Sequence, residues 1–246
     1  MQAMRIVHRL AHRTIEAVTE RLPPSVAGWV DLLRPALRQP WGGPMNGQLR
    51  RQQLVRELAL AHPFGLVVET GTHRGATTGF LADTFGTPVV TVEADRRLFA
   101  YSTRRLAPRP TIDVRLGDSP VVLEQVAREL AATSGPLFAY LDAHWGPELP
   151  LAEELEVLAA RWPRVVVMID DFAVPDDAGY GFDDYGPDKV LNAGYLGSVA
   201  LDGWSLSYPA AHSSSESGAR RGCCVLASPS MTDVVRIPGL RGHQQM

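Results

Sequence analysis

The amino-acid sequence predicts an α/β fold: a mostly parallel seven-stranded sheet with helices on both faces and an antiparallel hairpin at its C-terminal edge. Apolar, β-branched runs recur along the chain, and helical patterns separate the first five of them. The last two runs follow one another with only a polar stretch between them. Strands joined through helices pair in parallel, whereas strands joined by a loop pair antiparallel.

Each predicted strand is a short apolar run. The parallel part comprises LVVET (66–70), PVVTVEA (88–94), TIDVRL (111–116), PLFAYLD (136–142) and RVVVMID (164–170), and the hairpin comprises GWSLSYP (203–209) and GCCVLAS (222–228). Continuous apolar runs are typical of strands that are buried on both faces, so we expect five buried parallel strands. The connecting segments, among them ATTGFLADTFG and LPLAEELEVLAARWP, carry helical patterns.

The length of 246 residues fits one α/β domain with an appended segment. Five prolines between residues 23 and 50 interrupt regular structure before the first strand. We therefore predict a helical N-terminal lead-in or cap over residues 1–55 and one domain over residues 56–246.

Composition excludes several classes of protein. The formal net charge of −3 gives no electrostatic reason to expect a nucleic-acid partner. No apolar run approaches the length that spans a membrane. Cys223 and Cys224 are adjacent, so their side chains would point to opposite faces of a strand, which indicates reduced core cysteines and a cytoplasmic protein.

The N-terminus has the pattern of an amphipathic helix, with Ile6, Leu10, Ile15, Val18 and Leu22 at roughly helical spacing beside a basic side. One interpretation packs this helix on the domain or on a second subunit, which would make the protein a homo-oligomer. The other interpretation places it on an anionic membrane surface.

The stretch VVETGTHRGATT (67–78) predicts a strand, a turn and a helix that together bind a ligand. Gly71 and Gly75 allow a tight turn and let a ligand approach the N–H groups at the helix start. Glu69 stands where a dinucleotide fingerprint has its first glycine. Its carboxylate would repel a pyrophosphate and favours a cationic ligand.

Two further polar positions end the next strands. Glu93 closes VVTVE about twenty residues beyond the loop, where a carboxylate can accept both hydroxyls of a ribose. RLGDSP ends the third strand with Asp118 and Ser119, placed to meet an adenine edge. The alternative is that each of these carboxylates caps a helix or lies in solvent at a strand end.

Together these motifs resemble the class I S-adenosylmethionine-dependent methyltransferases, over roughly residues 60–228. The resemblance implies a Rossmann-like fold and a bound S-adenosylmethionine. Glu69 would lie near the amino end of its methionine part, Glu93 would hold the ribose, and Asp118 with Ser119 would flank the adenine. The implied cofactor-binding residues are Glu69, Thr70, Gly71, Thr72, Gly75, Thr77, Glu93, Asp118, Ser119 and Asp142.

Three carboxylates follow the fourth and fifth strands. Asp142 ends YLD, and Asp170 and Asp171 end VVVMIDD. Ligands bind at the carboxyl edge of such sheets, where these side chains would converge and repel one another. We therefore expect Asp142, Asp170 and Asp171 to hold a hard divalent cation such as Mg²⁺.

This pairing of aspartates resembles the metal-dependent macrocin and mycinamicin type of sugar O-methyltransferases. In relatives of that group a residue shortly after the first metal ligand acts as general base, and His144 best fits that role here. A neutral imidazole, with an ordinary pKa of about 6.5, can take the proton of a hydroxyl whose pKa a cation has lowered. The alternative is that His144 is a polar strand-end residue bonded to a carbonyl.

Two glycine-rich stretches flank the site. Residues 173–189 would form a lid in which Tyr180, Phe182 and Tyr185 contact the acceptor, or would be a solvated acidic loop. Residues 41–52 would close over the cofactor through Asn46, Gln48 and Arg51, or would be a plain linker.

The sequence thus predicts a metal-dependent O-methyltransferase that acts on a hydroxyl of a small-molecule acceptor, a sugar or a secondary metabolite. One alternative keeps the fold and the metal site but performs a different metal-assisted reaction, hydroxylation or hydrolysis. Another is a cofactor-binding subunit without catalysis.

Overall fold

A computed structural model of the chain describes residues 19–131, 135–144 and 149–246. Residues 1–18, which contain most of the predicted amphipathic N-terminal helix, lie outside these ranges. That helix and the self-association inferred from it therefore stay predictions.

One sheet forms the centre of the structure. Its strands are β1 (Leu66–Thr70), β2 (Val89–Glu93), β3 (Ile112–Leu116), β4 (Leu137–Leu141), β5 (Val165–Asp170), β6 (Ser205–Pro209), β7 (Cys223–Ala227) and β8 (Leu240–Gln245). They lie in the order β3-β2-β1-β4-β5-β7-β6-β8. Strands β1 to β5 are parallel, and β7, β6 and β8 are added antiparallel at the β5 side. The predicted α/β class and the C-terminal hairpin of β6 and β7 are confirmed.

Two details of the predicted sheet are wrong. The sheet has eight strands instead of seven, and β8, not the hairpin, forms its C-terminal edge. Strand β8 has the sequence LRGHQQ, which has no apolar run because an edge strand is not buried between neighbours. Strand β3 is the opposite edge and is only partly buried, with Asp113 and Leu116 exposed, so four of the five parallel strands are buried as expected.

The four helices that connect the parallel strands match the predicted helical patterns, and the described residues contain three further helices. They are α1 (Pro24–Leu32), α2 (Leu49–Ala61), α3 (Ala76–Phe85), α4 (Arg96–Leu106), α5 (Ser119–Leu130), α6 (Leu151–Arg161) and the single-turn α7 (Ala193–Leu196). Short 3₁₀ turns, each begun by a proline, fill the segment between α1 and α2. In the described part of the chain no helix is both long and apolar enough to cross a membrane.

The core consists of two apolar clusters, one on each face of the sheet. Val68 and Leu141 point into the cluster beneath α5 and α6, whereas their neighbours Val67 and Tyr140 point into the cluster that contains residues of α2 and α3. This alternation is the two-residue period of a strand. Helix α2 contributes the buried Val55 to the second cluster, so the predicted boundary between residues 55 and 56 falls inside a core helix.

Helix α2 is also tied to the sheet by a buried arginine. The Arg51 guanidinium donates to the carboxylate of Asp170 at the end of β5 and to the carbonyls of Arg221 and Gly222. Both side chains of the Arg51–Asp170 pair are almost completely buried. The Glu216 carboxylate accepts from the backbone N–H groups of Arg50 and Arg51, at 2.9 and 3.0 Å, and so satisfies free donors at the start of the helix. Helix α2, which precedes the first strand, is therefore held against the end of β5 and the start of β7.

Replacing Arg51 by methionine should destabilise the protein strongly. Arg51→Met leaves the Asp170 carboxylate buried without its cation, and we expect the free energy of unfolding to fall by about 3–5 kcal/mol in denaturant titrations. Arg109→Met is the matched control, because it breaks the exposed pair with Asp83 and should cost less than about 1 kcal/mol. Equal losses in the two variants would show that the buried pair does not anchor α2.

Candidate functional site

A large cavity opens at the carboxyl ends of the parallel strands, where α/β sheets bind ligands. Its volume is about 1570 Å³. This exceeds the roughly 300–1,000 Å³ of an ordinary small-molecule site and leaves room for two ligands side by side. The predicted site residues that line it are Gly71, Thr72, Thr77, Glu93, Asp118, Ser119, Asp142, His144 and Asp171, while Glu69, Thr70, Gly75 and Asp170 do not line it.

The loop after β1 is held against the loop after β4. Gly71 has a φ of +83°, and a Cβ atom there would lie 2.3 Å from the Asp142 carbonyl oxygen. The Asp142 N–H donates to the Thr70 carbonyl at 3.1 Å. Gly71 is therefore required by the close approach of these two loops, which brings Asp142 beside the glycine turn.

Glu69 lies beneath that loop and not in the cavity. Its carboxylate is 1% exposed and accepts hydrogen bonds from the hydroxyls of Thr78 and Thr91. Burial raises the pKa of Glu69 to about 7, although the two hydroxyls oppose the shift. In the structure Glu69 contacts residues that support the loop, and its predicted place at the amino end of a ligand stays a prediction.

Glu93 faces the cavity from the end of β2. One carboxylate oxygen accepts from the His73 N–H at 2.6 Å and the other from the Asp95 N–H at 2.9 Å. Burial raises the pKa of Glu93 even though these hydrogen bonds favour its charged form. A carboxylate has about four acceptor positions. Glu93 therefore keeps the capacity to accept the hydroxyls of a ligand.

Asp118 and Ser119 lie at the end of the cavity next to β3. Asp118 is exposed and precedes the first turn of α5, and Ser119 is 5% exposed within that turn. Glu93, Asp118 and Ser119 thus all line the cavity.

At the other end of the cavity three side chains form a candidate metal centre. One ligand atom from each of Asp142, His144 and Asp171 lies within 4.8 Å of the other two. His144 is 3% exposed, and neither of its ring nitrogens makes a hydrogen bond of normal geometry within the described residues. Burial lowers the pKa of His144, so its imidazole is neutral at neutral pH. A buried imidazole without partners fits a role as a ligand or as a proton acceptor.

The two carboxylates of this centre are partly buried and repel each other, and a bound cation would reduce that repulsion. Burial, together with the nearby Asp170 charge, raises the pKa of Asp171 to about 7, although the Arg221 guanidinium opposes the shift. Burial also raises the pKa of Asp142 well above its usual range, with Asp170 and Asp171 adding repulsion. The donor set of two carboxylates and a neutral imidazole therefore fits a divalent metal ion.

Asp170, the third predicted ligand, lies outside the cluster. Besides Arg51, its carboxylate accepts the Tyr140 hydroxyl at 2.5 Å and the Asp171 N–H at 2.7 Å. Burial alone would raise the pKa of Asp170, but the Arg51 guanidinium and the Tyr140 hydroxyl hold it below its usual value. The carboxylate of Asp170 thus accepts from three donors within the protein.

The flanking stretches contribute unequally. Tyr185 lines the cavity, and its hydroxyl lies 2.9 Å from the His144 carbonyl oxygen. Tyr180 is buried in the core and does not line this cavity, and Phe182 is exposed. From residues 41–52, Asn46 lines the cavity but Gln48 and Arg51 do not.

Several lining residues were missed at the level of sequence, among them Trp41, Asp183 and Arg221. The Trp41 ring stacks on His73 with their centroids 5.1 Å apart. Asp183 lies in the stretch 173–189, but no motif distinguishes it from the other aspartates there. Arg221 precedes β7, and because β7 is antiparallel its start meets the carboxyl ends of the parallel strands. That reversal is the signal that could have identified Arg221.

The sequence matches no protein-family model and no curated protein significantly. Three solved structures illustrate what the fold is similar to. An O-methyltransferase from Bacillus cereus in complex with S-adenosylhomocysteine is 17% identical, with a TM-score of 0.52 over 88% of this chain and 97% of that chain. TomG from Streptomyces achromogenes, an O-methyltransferase of tomaymycin synthesis in complex with S-adenosylmethionine, is 18% identical, with a TM-score of 0.52 over 72% and 79%.

The third structure is S-adenosylmethionine-bound CalS10 from Micromonospora echinaspora, an amino pentose methyltransferase of calicheamicin biosynthesis. It is 15% identical, with a TM-score of 0.50 over 71% of this chain and 88% of that chain. At such identities the similarity establishes the fold. The chain has the Rossmann-like fold of class I S-adenosylmethionine-dependent methyltransferases, as the sequence predicted.

Proposed function

We propose that this protein is a metal-dependent O-methyltransferase, which transfers the methyl group of S-adenosylmethionine to a hydroxyl of a small-molecule acceptor, a sugar or another secondary metabolite. The observation that carries the proposal is one cavity with two chemically different ends. Glu93 and Asp118 line one end, and the cluster of Asp142, His144 and Asp171 lines the other. The three solved structures described above are two O-methyltransferases and an amino pentose methyltransferase, each with the cofactor or its product bound.

The cofactor end suits a cationic ligand. Glu93, Asp95, Asp118 and Glu153 line the cavity and outnumber the two arginines beside them, Arg74 and Arg96, whereas a dinucleotide site would avoid carboxylates beside its phosphates. S-adenosylmethionine combines a sulfonium, an ammonium and a ribose, so an acidic wall with an available carboxylate matches its chemistry. Glu93 would accept the ribose hydroxyls, Gly71 and Thr72 would line the methionine part, and Asp118 with Ser119 would flank the adenine.

The acceptor end would hold the metal on Asp142 and Asp171. When bound, a divalent cation such as Mg²⁺ would relieve the repulsion between these carboxylates and lower the pKa of an acceptor hydroxyl. Mg²⁺ prefers oxygen ligands, which leaves the neutral His144 imidazole to take the proton of that hydroxyl during methyl transfer. Asp170 is paired with Arg51 and accepts the Asp171 N–H, so it would hold Asp171 in place and is not part of the proposed ligand set.

Cofactor binding can be tested without knowing the acceptor. We expect the wild-type protein to bind S-adenosylmethionine in calorimetry and Glu93→Gln to bind it about ten- to hundredfold more weakly, because the amide lacks the charge and one of the two acceptor oxygens. The exposed Glu129, which lies at the far end of α5, gives the control Glu129→Gln with unchanged affinity. No binding to the wild-type protein would remove the methyltransferase proposal.

Metal dependence requires an acceptor, which a screen of sugar and phenolic hydroxyl compounds with mass detection should provide. We expect a chelator to abolish methyl transfer and Mg²⁺ to restore it. Asp171→Asn should bind Mg²⁺ at least about tenfold more weakly in calorimetry, because it removes a charged ligand. Asp176→Asn, an exposed aspartate outside the cavity, is the control. Transfer that persists in chelator would rule out the metal.

The role of His144 has a distinguishing test. His144→Ala should lower kcat by about 10²- to 10⁴-fold and change the affinities for S-adenosylmethionine and Mg²⁺ only slightly, since a general base acts on the acceptor and not on binding. His212→Ala, an exposed histidine away from the cavity, should retain kcat. A fall in Mg²⁺ affinity as large as that of Asp171→Asn would make His144 a metal ligand and exclude it as the base.

A further inference from the structure

Arg221 lies between two carboxylates at the acceptor end of the cavity. Its Nε donates to Asp171 at 2.6 Å, and its Nη2 contacts Asp183. The side chains of Asp171 and Asp183 are only 18% and 23% exposed, so water screens their charges incompletely. Without a cation between them, these two carboxylates would repel each other.

Asp183 connects this pair to the segment of residues 173–189, which we call the acidic loop. The Tyr185 hydroxyl lies against the second Asp183 oxygen and against the His144 carbonyl. The Asp183 N–H also donates to the Asp171 carbonyl at 2.9 Å. Through Asp183 and Tyr185 the acidic loop therefore closes one side of the cavity.

The backbone of Arg221 is held rigidly, so its side chain is presented from a fixed base. The Gln48 side chain accepts from the Arg221 N–H at 2.8 Å and donates to its carbonyl at 2.9 Å. Arg51 donates to the same carbonyl. A guanidinium is suited to this position because its planar set of donors can contact two carboxylates at once.

We infer that Arg221 is a positioning residue whose guanidinium takes the place of a metal cation between Asp171 and Asp183, and so keeps the acidic loop closed over the acceptor site before any metal binds. The inference rests on the proposed function for the identity of the acceptor site and of the metal. Its consequence is that closure of the loop in the wild-type protein does not depend on a divalent cation.

Removing the charge of Arg221 should make closure dependent on a cation. In Arg221→Met the carboxylates of Asp142, Asp171 and Asp183 face one another without a positive charge, and their repulsion favours the open loop. A divalent cation on Asp142 and Asp171 would restore the balance and close the loop again. A residue with a merely structural role would not produce this response to a cation.

The chain offers a clean probe of the loop. Lys189 is its only lysine, so a lysine-specific endoprotease cuts one peptide bond, at the end of the acidic loop, and yields the fragments 1–189 and 190–246. Lys189 is exposed, but in the closed loop its carbonyl accepts from the Tyr185 N–H at 3.2 Å. Cleavage requires an extended chain, so the cleavage rate follows the population of the open loop.

The experiment measures this cleavage in the full-length protein with and without Mg²⁺. We expect slow cleavage of the wild-type protein in both conditions. Arg221→Met should be cleaved about tenfold faster without Mg²⁺, and Mg²⁺ should slow its cleavage to the wild-type rate. Arg109→Met, which removes an arginine far from the loop, should behave like the wild-type protein. Arg221→Met combined with Asp183→Asn should be protected without Mg²⁺, because position 183 of the acidic loop then carries no charge that Asp171 repels.

The outcomes separate this inference from the proposed function. Cleavage of Arg221→Met at the wild-type rate without Mg²⁺ would overturn the inference. Rapid cleavage of the double variant would also overturn it, because the loop would then depend on packing by Arg221 and not on its charge. Rapid cleavage of Arg221→Met that Mg²⁺ does not slow, with protection in the double variant, would keep the role of Arg221 and count against the proposed metal site. Protection of the double variant also shows that the substitution at 221 allows folding.

Discussion

The buried ion pair between Arg51 and Asp170 is the interaction on which the geometry of the site depends. A carboxylate at the end of a central strand, completely shielded from water, is tolerated only with a cation and further hydrogen bonds. Arg51 supplies that cation from α2, which draws the N-terminal segment onto the sheet. The next residue, Asp171, has a φ of +53°, a conformation that aspartate tolerates better than most residues. This turn leaves Asp170 in the ion pair with Arg51 and brings Asp171 into the cavity. The two adjacent aspartates therefore have different roles.

Arg51 also links the interior of the protein to the edge of the cavity. It shares the carbonyl of Arg221 with Gln48, and Arg221 in turn contacts Asp171 and Asp183. A continuous series of polar contacts thus runs from helix α2 to the acidic loop. Residues that precede the first strand therefore contribute to the site as the strand ends do. Trp41 and Asn46, which also precede the first strand, line the cavity.

The sequence sufficed for those parts of the fold and site that follow from local rules. Continuous apolar runs identify the buried strands, and parallel strands bring their carboxyl ends to one edge. The sequence pattern alone therefore places Glu93, Asp142 and Asp171 at the same edge of the sheet. Strand β8 lacks an apolar run because it pairs on one side only. The ion pair between Arg51 and Asp170 joins residues that lie 119 positions apart in the sequence. No local pattern therefore predicts that Arg51 pairs with Asp170 and not with the adjacent Asp171.

The charges at the acceptor end bear on which acceptors the proposed enzyme would accept. When all three are ionised, Asp142, Asp171 and Asp183 bring three negative charges to this end of the cavity, and Arg221 brings one positive charge. A divalent cation bound as proposed would supply the two further positive charges that neutrality requires. The acceptor end would then be close to neutral, since burial removes most of the screening that would otherwise tolerate a residual charge. An uncharged hydroxyl compound fits such an environment. A phosphorylated acceptor would bring in negative charge, and among the described residues that line this end Arg221 is the only cation.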